Sequence, residues 1–155
     1  MSDFEMLKRK LERFDSVYAE LTSRIKYAIP RIEIYLKHLR EKYQIFDIQS
    51  DVDSIKFKIF GHMVIIKFVL LVTKNVGLME WYVILPETDS HRKRYSLIST
   101  YTFDNHGYAL DKEGQIQLKT IDDRAVEIEI DDREFVLEGL YRFCEKVDEQ
   151  RIYLV

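Results

Sequence analysis

The densest cluster of side chains that could do chemistry is the run His91, Arg92, Lys93 and Arg94, which Tyr95 follows directly. Arginine and lysine neutralise phosphates, and an aromatic ring beside them can stack on a base. The cluster is therefore a candidate contact for an anion or a nucleic acid. Four charges in a polar segment are more often a solvated loop, and the formal net charge of −3 gives no general attraction to polyanions. Nucleic-acid binding is accordingly the third of three functional hypotheses.

A second group consists of Tyr101, Asp104 and His106, which lie at the end of a predicted strand and in the turn after it. Tyrosines on alternating strands either line a small-molecule pocket or sit at the edge of a core with the hydroxyl in water. The alternative function is therefore a small-ligand-binding domain, or an enzyme, that uses a cupped antiparallel sheet with these three residues at the mouth of the pocket.

Other catalytic patterns are missing from the sequence. No glycine-rich loop opens a helix, and no two histidines have the helical spacing of a metal site. Cys144 is the only cysteine, which rules out an intramolecular disulfide, and we expect it to be a buried, inert thiol. No cofactor and no metal are expected, so the sequence favours a non-catalytic domain over an enzyme.

The chain begins with a long predicted helix. Apolar residues recur at steps of three and four, without a break, at Phe4, Leu7, Leu11, Phe14, Tyr18, Leu21, Ile25, Ala28, Ile32, Tyr35 and Leu39. This period is the seam of a helix with one buried side. Pro30 falls opposite the seam, so it either kinks one long helix or separates two. The unbroken heptad phase favours a single helix over residues 3–43.

The apolar face of this helix is wider after the proline than before it. The wider part gains Ile29, Leu36 and Tyr43, which is typical of a helix lying on a sheet. The earlier part keeps the narrow stripe of a coiled coil, and its members are the candidate partner-binding residues: Phe4, Leu7, Leu11 and Phe14.

Flanking charges suit a partner helix. If Phe4 occupies heptad position a, a parallel copy would set Asp3 against Lys8 and Lys10 against Asp15. The competing interpretation is that the narrow stripe folds onto the chain's own sheet, which needs a cover in any case. A homodimer through the stripe and a different protein partner both remain open.

From residue 45 to residue 130 the period changes to two, which predicts strands separated by turns. Residues 63–72 are apolar on both faces apart from Lys67, which indicates a central strand. Asp131 and Glu134 stand at capping-box spacing and predict a last helix over residues 131–148. The sequence therefore predicts one α+β domain over residues 1–155: a long N-terminal helix packed on an antiparallel meander of about six or seven strands, with a C-terminal helix.

The function that these patterns favour is a non-catalytic protein-interaction domain, which associates with itself through the N-terminal helix or with another chain. The first residues lack the basic and apolar regions of a secretory signal, so we expect a cytoplasmic location. No apolar run approaches the roughly twenty residues of a membrane-spanning helix, and no membrane partner is expected.

Overall fold

The structure is a computed structural model that describes residues 2–85 and 94–147. Its first element, α1, is a single helix of 38 residues, Asp3–Arg40. The Ser2 hydroxyl caps it by accepting a hydrogen bond from the Glu5 amide at 3.2 Å. Pro30 lies inside the helix on its exposed side. The prediction of one helix through the proline is confirmed, although the helix ends three residues before residue 43.

Six strands follow and form one curled antiparallel sheet, in which each strand pairs with the next one along the chain. The predicted central strand is confirmed, because β3 pairs with β2 on one side and β4 on the other. The strands are β1 Ile45–Ser50, β2 Ser54–Ile59, β3 His62–Leu71, β4 Val76–Leu85, β5 Arg94–Asp104 and β6 Ala109–Leu110.

Tight turns connect these strands. Phe60 and Gly61 both have positive φ, 48° and 79°, between β2 and β3. A 3-10 turn, Val72–Lys74, precedes Asn75, whose φ of 56° is in the left-handed region. Gly77 lies in β4, where a Cβ atom would come within 2.1 Å of the Phe103 ring.

A second, two-stranded sheet and a final helix complete the fold. β7 Leu118–Ile121 pairs with β8 Arg124–Glu127 around a turn at Asp122 and Asp123, both with positive φ. The helix α2 runs over Arg133–Val147. The α+β class is confirmed, and the later predicted strands form a separate small sheet beside the main meander.

One apolar cluster joins α1, α2 and the inner face of the main sheet. Trp81 of β4 lies at its centre and is fully buried, with its ring edge-on to Phe57 at 6.3 Å between centroids. Gly139 of α2 sits on the same indole, where a Cβ atom would come within 2.4 Å of the ring. Both helices therefore cover the same face of the sheet.

Two sequence predictions about α2 are wrong. The capping residue is Asp132, whose carboxylate accepts a hydrogen bond from the Glu134 amide at 2.9 Å, whereas Asp131 is buried and paired with Arg31. Cys144 is exposed, because it follows the buried Phe143 by one residue and therefore points about 100° away from it. Arg31, one hundred positions away in the sequence, pairs with Asp131, and the adjacent Asp132 caps the helix instead.

Candidate functional site

The first eleven residues of α1 are exposed to solvent. Every residue from 2 to 13 is exposed, and the exposed fractions are 75% for Phe4, 54% for Leu7 and 57% for Leu11. Phe14 is half-buried, and the first fully buried residue is Leu21. We call Phe4, Leu7, Leu11 and Phe14 the bare seam. The four residues singled out from the sequence thus lie together along one exposed helical stripe.

The bare seam lies on the same side of α1 as the core contacts. Leu7 precedes Ile25 by 18 residues, or about five helical turns, so the two side chains point in the same direction. From Leu21 onward that side is buried against the rest of the chain, at Leu21, Ile25, Ala28, Ile29, Ile32, Leu36 and Leu39. A single helical face is therefore covered at one end and open at the other.

The part of this helical face that the rest of the chain covers ends near the turn between β3 and β4. Val17 is partly buried against the core, and Thr73 of the 3-10 turn lies beside Phe14 along a shallow groove. Tyr18, next along the seam, is 54% exposed. It extends the open stripe by one position, although the sequence analysis did not place it among the site residues.

Such a stripe can pair with another helix. Single apolar side chains on a surface are ordinary, whereas a continuous exposed row is characteristic of an interaction surface. The row has the three-and-four spacing at which side chains of one helix insert between those of a second. Lys8 and Asp15 flank it, and both are exposed.

The basic cluster lies mostly outside the described residues, since these exclude His91, Arg92 and Lys93. Arg94 begins β5. Tyr95 is 54% exposed on the face of the sheet turned away from the helices, and its ring stands edge-on to Tyr82 at 6.3 Å. Binding of an anion or nucleic acid by this cluster stays a prediction.

The three candidate pocket residues have separate surroundings. Tyr101 is buried with its ring edge-on to Phe135 at 5.3 Å, and burial raises the pKa of its hydroxyl. The Asp104 carboxylate accepts hydrogen bonds from the backbone amides of His106 and Tyr108, at 2.9 and 3.0 Å. His106 is exposed in that turn. Tyr101 thus packs in the core and Asp104 fixes the turn.

The structure also forms a groove of about 390 Å³ between α1 and the start of α2, which the sequence analysis missed. Its lining joins residues about one hundred positions apart, so no spacing in the sequence could have identified it: Arg31, Ile34, Tyr35, His38, Asp131 and Arg133. The Arg133 guanidinium lies 5.6 Å from the centre of the Tyr35 ring.

Charges at this groove hold α1 to the rest of the chain. Arg31 is paired with the buried Asp131 and also donates a hydrogen bond to the Tyr27 hydroxyl at 2.9 Å. Burial, followed by the charge of Asp131, raises the pKa of the nearby Glu129 carboxyl. The Asp131 carboxylate is already paired with the Arg31 guanidinium. This arrangement is therefore suited to anchoring α1.

In the described ranges 2–85 and 94–147, no group of three or more acidic, histidine or cysteine side chains could hold a metal ion. Neither α1 nor α2 is long and apolar enough to cross a membrane. Comparison of the chain with protein-family models, curated proteins and solved structures gives no significant match.

Proposed function

We propose that this chain is a non-catalytic protein-interaction domain that pairs with a second copy of itself through the bare seam. One observation carries the proposal: the face of α1 that is buried from Leu21 onward is open from Phe4 to Leu11. An apolar helical face exposed to water lowers its free energy by burial against another apolar surface. One more helix laid along this stripe would cover its apolar side chains.

A second copy suits this stripe because both apolar and charged side chains can find partners in its own sequence. The seam offers leucine and aromatic side chains that can interdigitate with the same set from another chain. Lys8 and Asp15 are exposed on one flank, and within the described residues neither forms an ion pair with its own chain. Two identical stripes can therefore offer opposite charges to each other.

Sedimentation equilibrium tests the proposal directly. The full chain is expected to pass from the 18.7 kDa monomer to twice that mass as its concentration rises from low micromolar towards millimolar. A variant with Leu7, Leu11 and Phe14 all changed to Gln should remain monomeric over the same range. Far-UV circular dichroism and thermal unfolding of the variant show whether it keeps its fold, since Phe14 is half-buried.

Two results would count against self-pairing. A full chain that stays monomeric throughout would mean that the seam serves a different protein or none. A folded triple variant that dimerises as strongly as the full chain would place the interface elsewhere.

A further inference from the structure

We infer that the two copies pair with their α1 helices antiparallel, so that the two sheets lie at opposite ends of the dimer. This inference rests on the proposed self-pairing and adds its direction and register. It follows from two features of α1. The bare seam and the buried residues from Leu21 onward lie on the same helical face, and the helix has no break over its 38 residues. Exposed charges beside the seam then select the register.

A parallel pair is blocked by the chain's own sheet. Paired helices run with their axes about 8–10 Å apart along the shared face. Beyond Tyr18 that face of each helix is occupied, since Leu21, Ile25 and the apolar residues after them are buried under the sheet. Two parallel helices in register would therefore bring two sheets into the same space immediately after the bare seam. α1 runs on as one helix from the bare seam into the covered part, without a turn between them that could redirect the chain.

An antiparallel pair confines this conflict to the two ends of the helix contact. The second helix then runs along the bare seam towards the N-terminus of the first, and its own sheet-bearing half lies beyond Phe4. Nothing in residues 2–13 covers that space, because all of these residues are exposed. With Leu11 level with Phe14 of the second copy, Phe4 of each copy lies level with the covered Leu21 of the other, so crowding by the sheets is limited to the first turn of each helix.

Charge complementarity selects one antiparallel register. Antiparallel coiled coils alternate a residues with d residues of the partner, so Leu11 can face Phe14 of the second copy while Leu7 faces Tyr18. In that register Lys8 faces Asp15 of the second copy. By two-fold symmetry each of these contacts occurs twice. All of the residues involved except Phe14, which is half-buried, are exposed in the single chain.

The neighbouring antiparallel register fits less well. Shifting one helix by a heptad would pair Leu7 with Leu11 and Phe4 with Phe14 of the second copy. It would also place Lys8 against Lys8 and Lys10 against Lys10. Like charges facing each other across a helix pair are destabilising. The register with Leu11 against Phe14 keeps opposite charges together.

Cross-linking between single-cysteine chains tests the direction. In a Cys144→Ala background, which removes the exposed native thiol, three proteins carry Lys8→Cys, Lys10→Cys or Asp15→Cys. Lys8→Cys is mixed with Asp15→Cys, and Lys10→Cys is mixed with Asp15→Cys. Each mixture is treated with a short thiol-specific cross-linker, and sedimentation of the untreated native chain is measured in parallel. Both mixtures lose one lysine and one aspartate, so they are matched in charge.

The antiparallel arrangement predicts linked dimer in the first mixture, and in the second no more than each protein gives alone. Linkage in the second mixture alone would establish a parallel pair, which overturns the direction but leaves self-pairing intact. A native dimer with no linkage in either mixture would overturn the register and also leave self-pairing intact. A native chain that stays monomeric, with neither mixture linked, would overturn the proposed function and this inference together.

Discussion

Replacing Leu7 with lysine should separate the dimer without disturbing the fold. Leu7 lies in the bare seam and is 54% exposed, so the single chain has little packing to lose there. The adjacent Met6 provides a matched control, because it is 58% exposed and points about 100° further round the helix, away from the seam. Met6→Lys makes the same change in net charge, and both substitutions keep a good helix former.

The expected weakening follows from the exposed fraction. Full burial of a leucine side chain contributes about 1.5–3 kcal/mol, so burying the exposed half of Leu7 contributes about 0.8–1.6 kcal/mol. Both copies change in a symmetric dimer, which gives a loss of about 2–3 kcal/mol and a dimer Kd roughly 30- to 140-fold higher. Surface substitutions off the interface usually change free energies by no more than about 0.5 kcal/mol, so Met6→Lys should move Kd by only about two- to fivefold even when it is counted in both chains.

Sedimentation equilibrium of the three proteins measures these constants, and urea unfolding of each at monomeric concentration checks the fold. Equal dimer dissociation constants for Leu7→Lys and Met6→Lys would contradict this prediction, because the two substitutions differ only in the side of the helix that they occupy. The prediction would also be refuted if Leu7→Lys unfolded the monomer, since Leu7 would then be held by a contact that its exposure does not reveal.

Two further predictions concern the core. His62 is buried with its ring 5.8 Å from that of Phe143, and burial lowers its pKa below 6.5; the unfolded chain therefore binds the proton more readily, and the free energy of unfolding should fall as the pH drops below about 6.5. Urea unfolding from about pH 7 to about pH 5 should show this fall in the native chain and a smaller one in His62→Gln. Gly139→Ala should lower stability although alanine is the better helix former, because its Cβ atom would come within 2.4 Å of the Trp81 ring, and overpacking a core costs about 1–3 kcal/mol. Unfolding followed by fluorescence of this single tryptophan checks it, and a more stable variant would mean that α2 does not rest on Trp81.

Local patterns in the sequence were sufficient to predict the main elements. The continuous heptad phase through Pro30 correctly indicated one helix. A proline opposite the seam removes a backbone hydrogen bond on the exposed side of the helix and leaves the buried side undisturbed. The run that is apolar on both faces, residues 63–72, correctly placed the central strand β3. The predicted capping residue of α2 was wrong. Asp131 and Asp132 are adjacent residues of the same type, and only the position of Arg31 in the fold decides which carboxylate is buried.

The candidate sites differ in how well they could be predicted from the sequence, because some of them need residues that only the tertiary fold brings together. The bare seam could be predicted from spacing because its residues follow one another on a single helix. The groove between α1 and α2 could not be predicted in this way, since Arg31 and Arg133 are far apart in the sequence and only the tertiary fold brings them to one groove. Tyr101 and Asp104 were grouped by proximity in the sequence, yet one packs on Phe135 and the other binds backbone amides of its own turn.

The open end of the seam has a simple cause in the lengths of the elements. A helix of 38 residues is about 57 Å long. The longest strand, with 11 residues, spans about 37 Å, and six strands side by side span about 24 Å. Even the diagonal of such a sheet, about 44 Å, is shorter than the helix, so about nine residues or more must extend past it. A heptad pattern longer than any sheet that the same chain can build therefore predicts an uncovered segment, and in this chain the seam remains apolar over that segment down to Phe4.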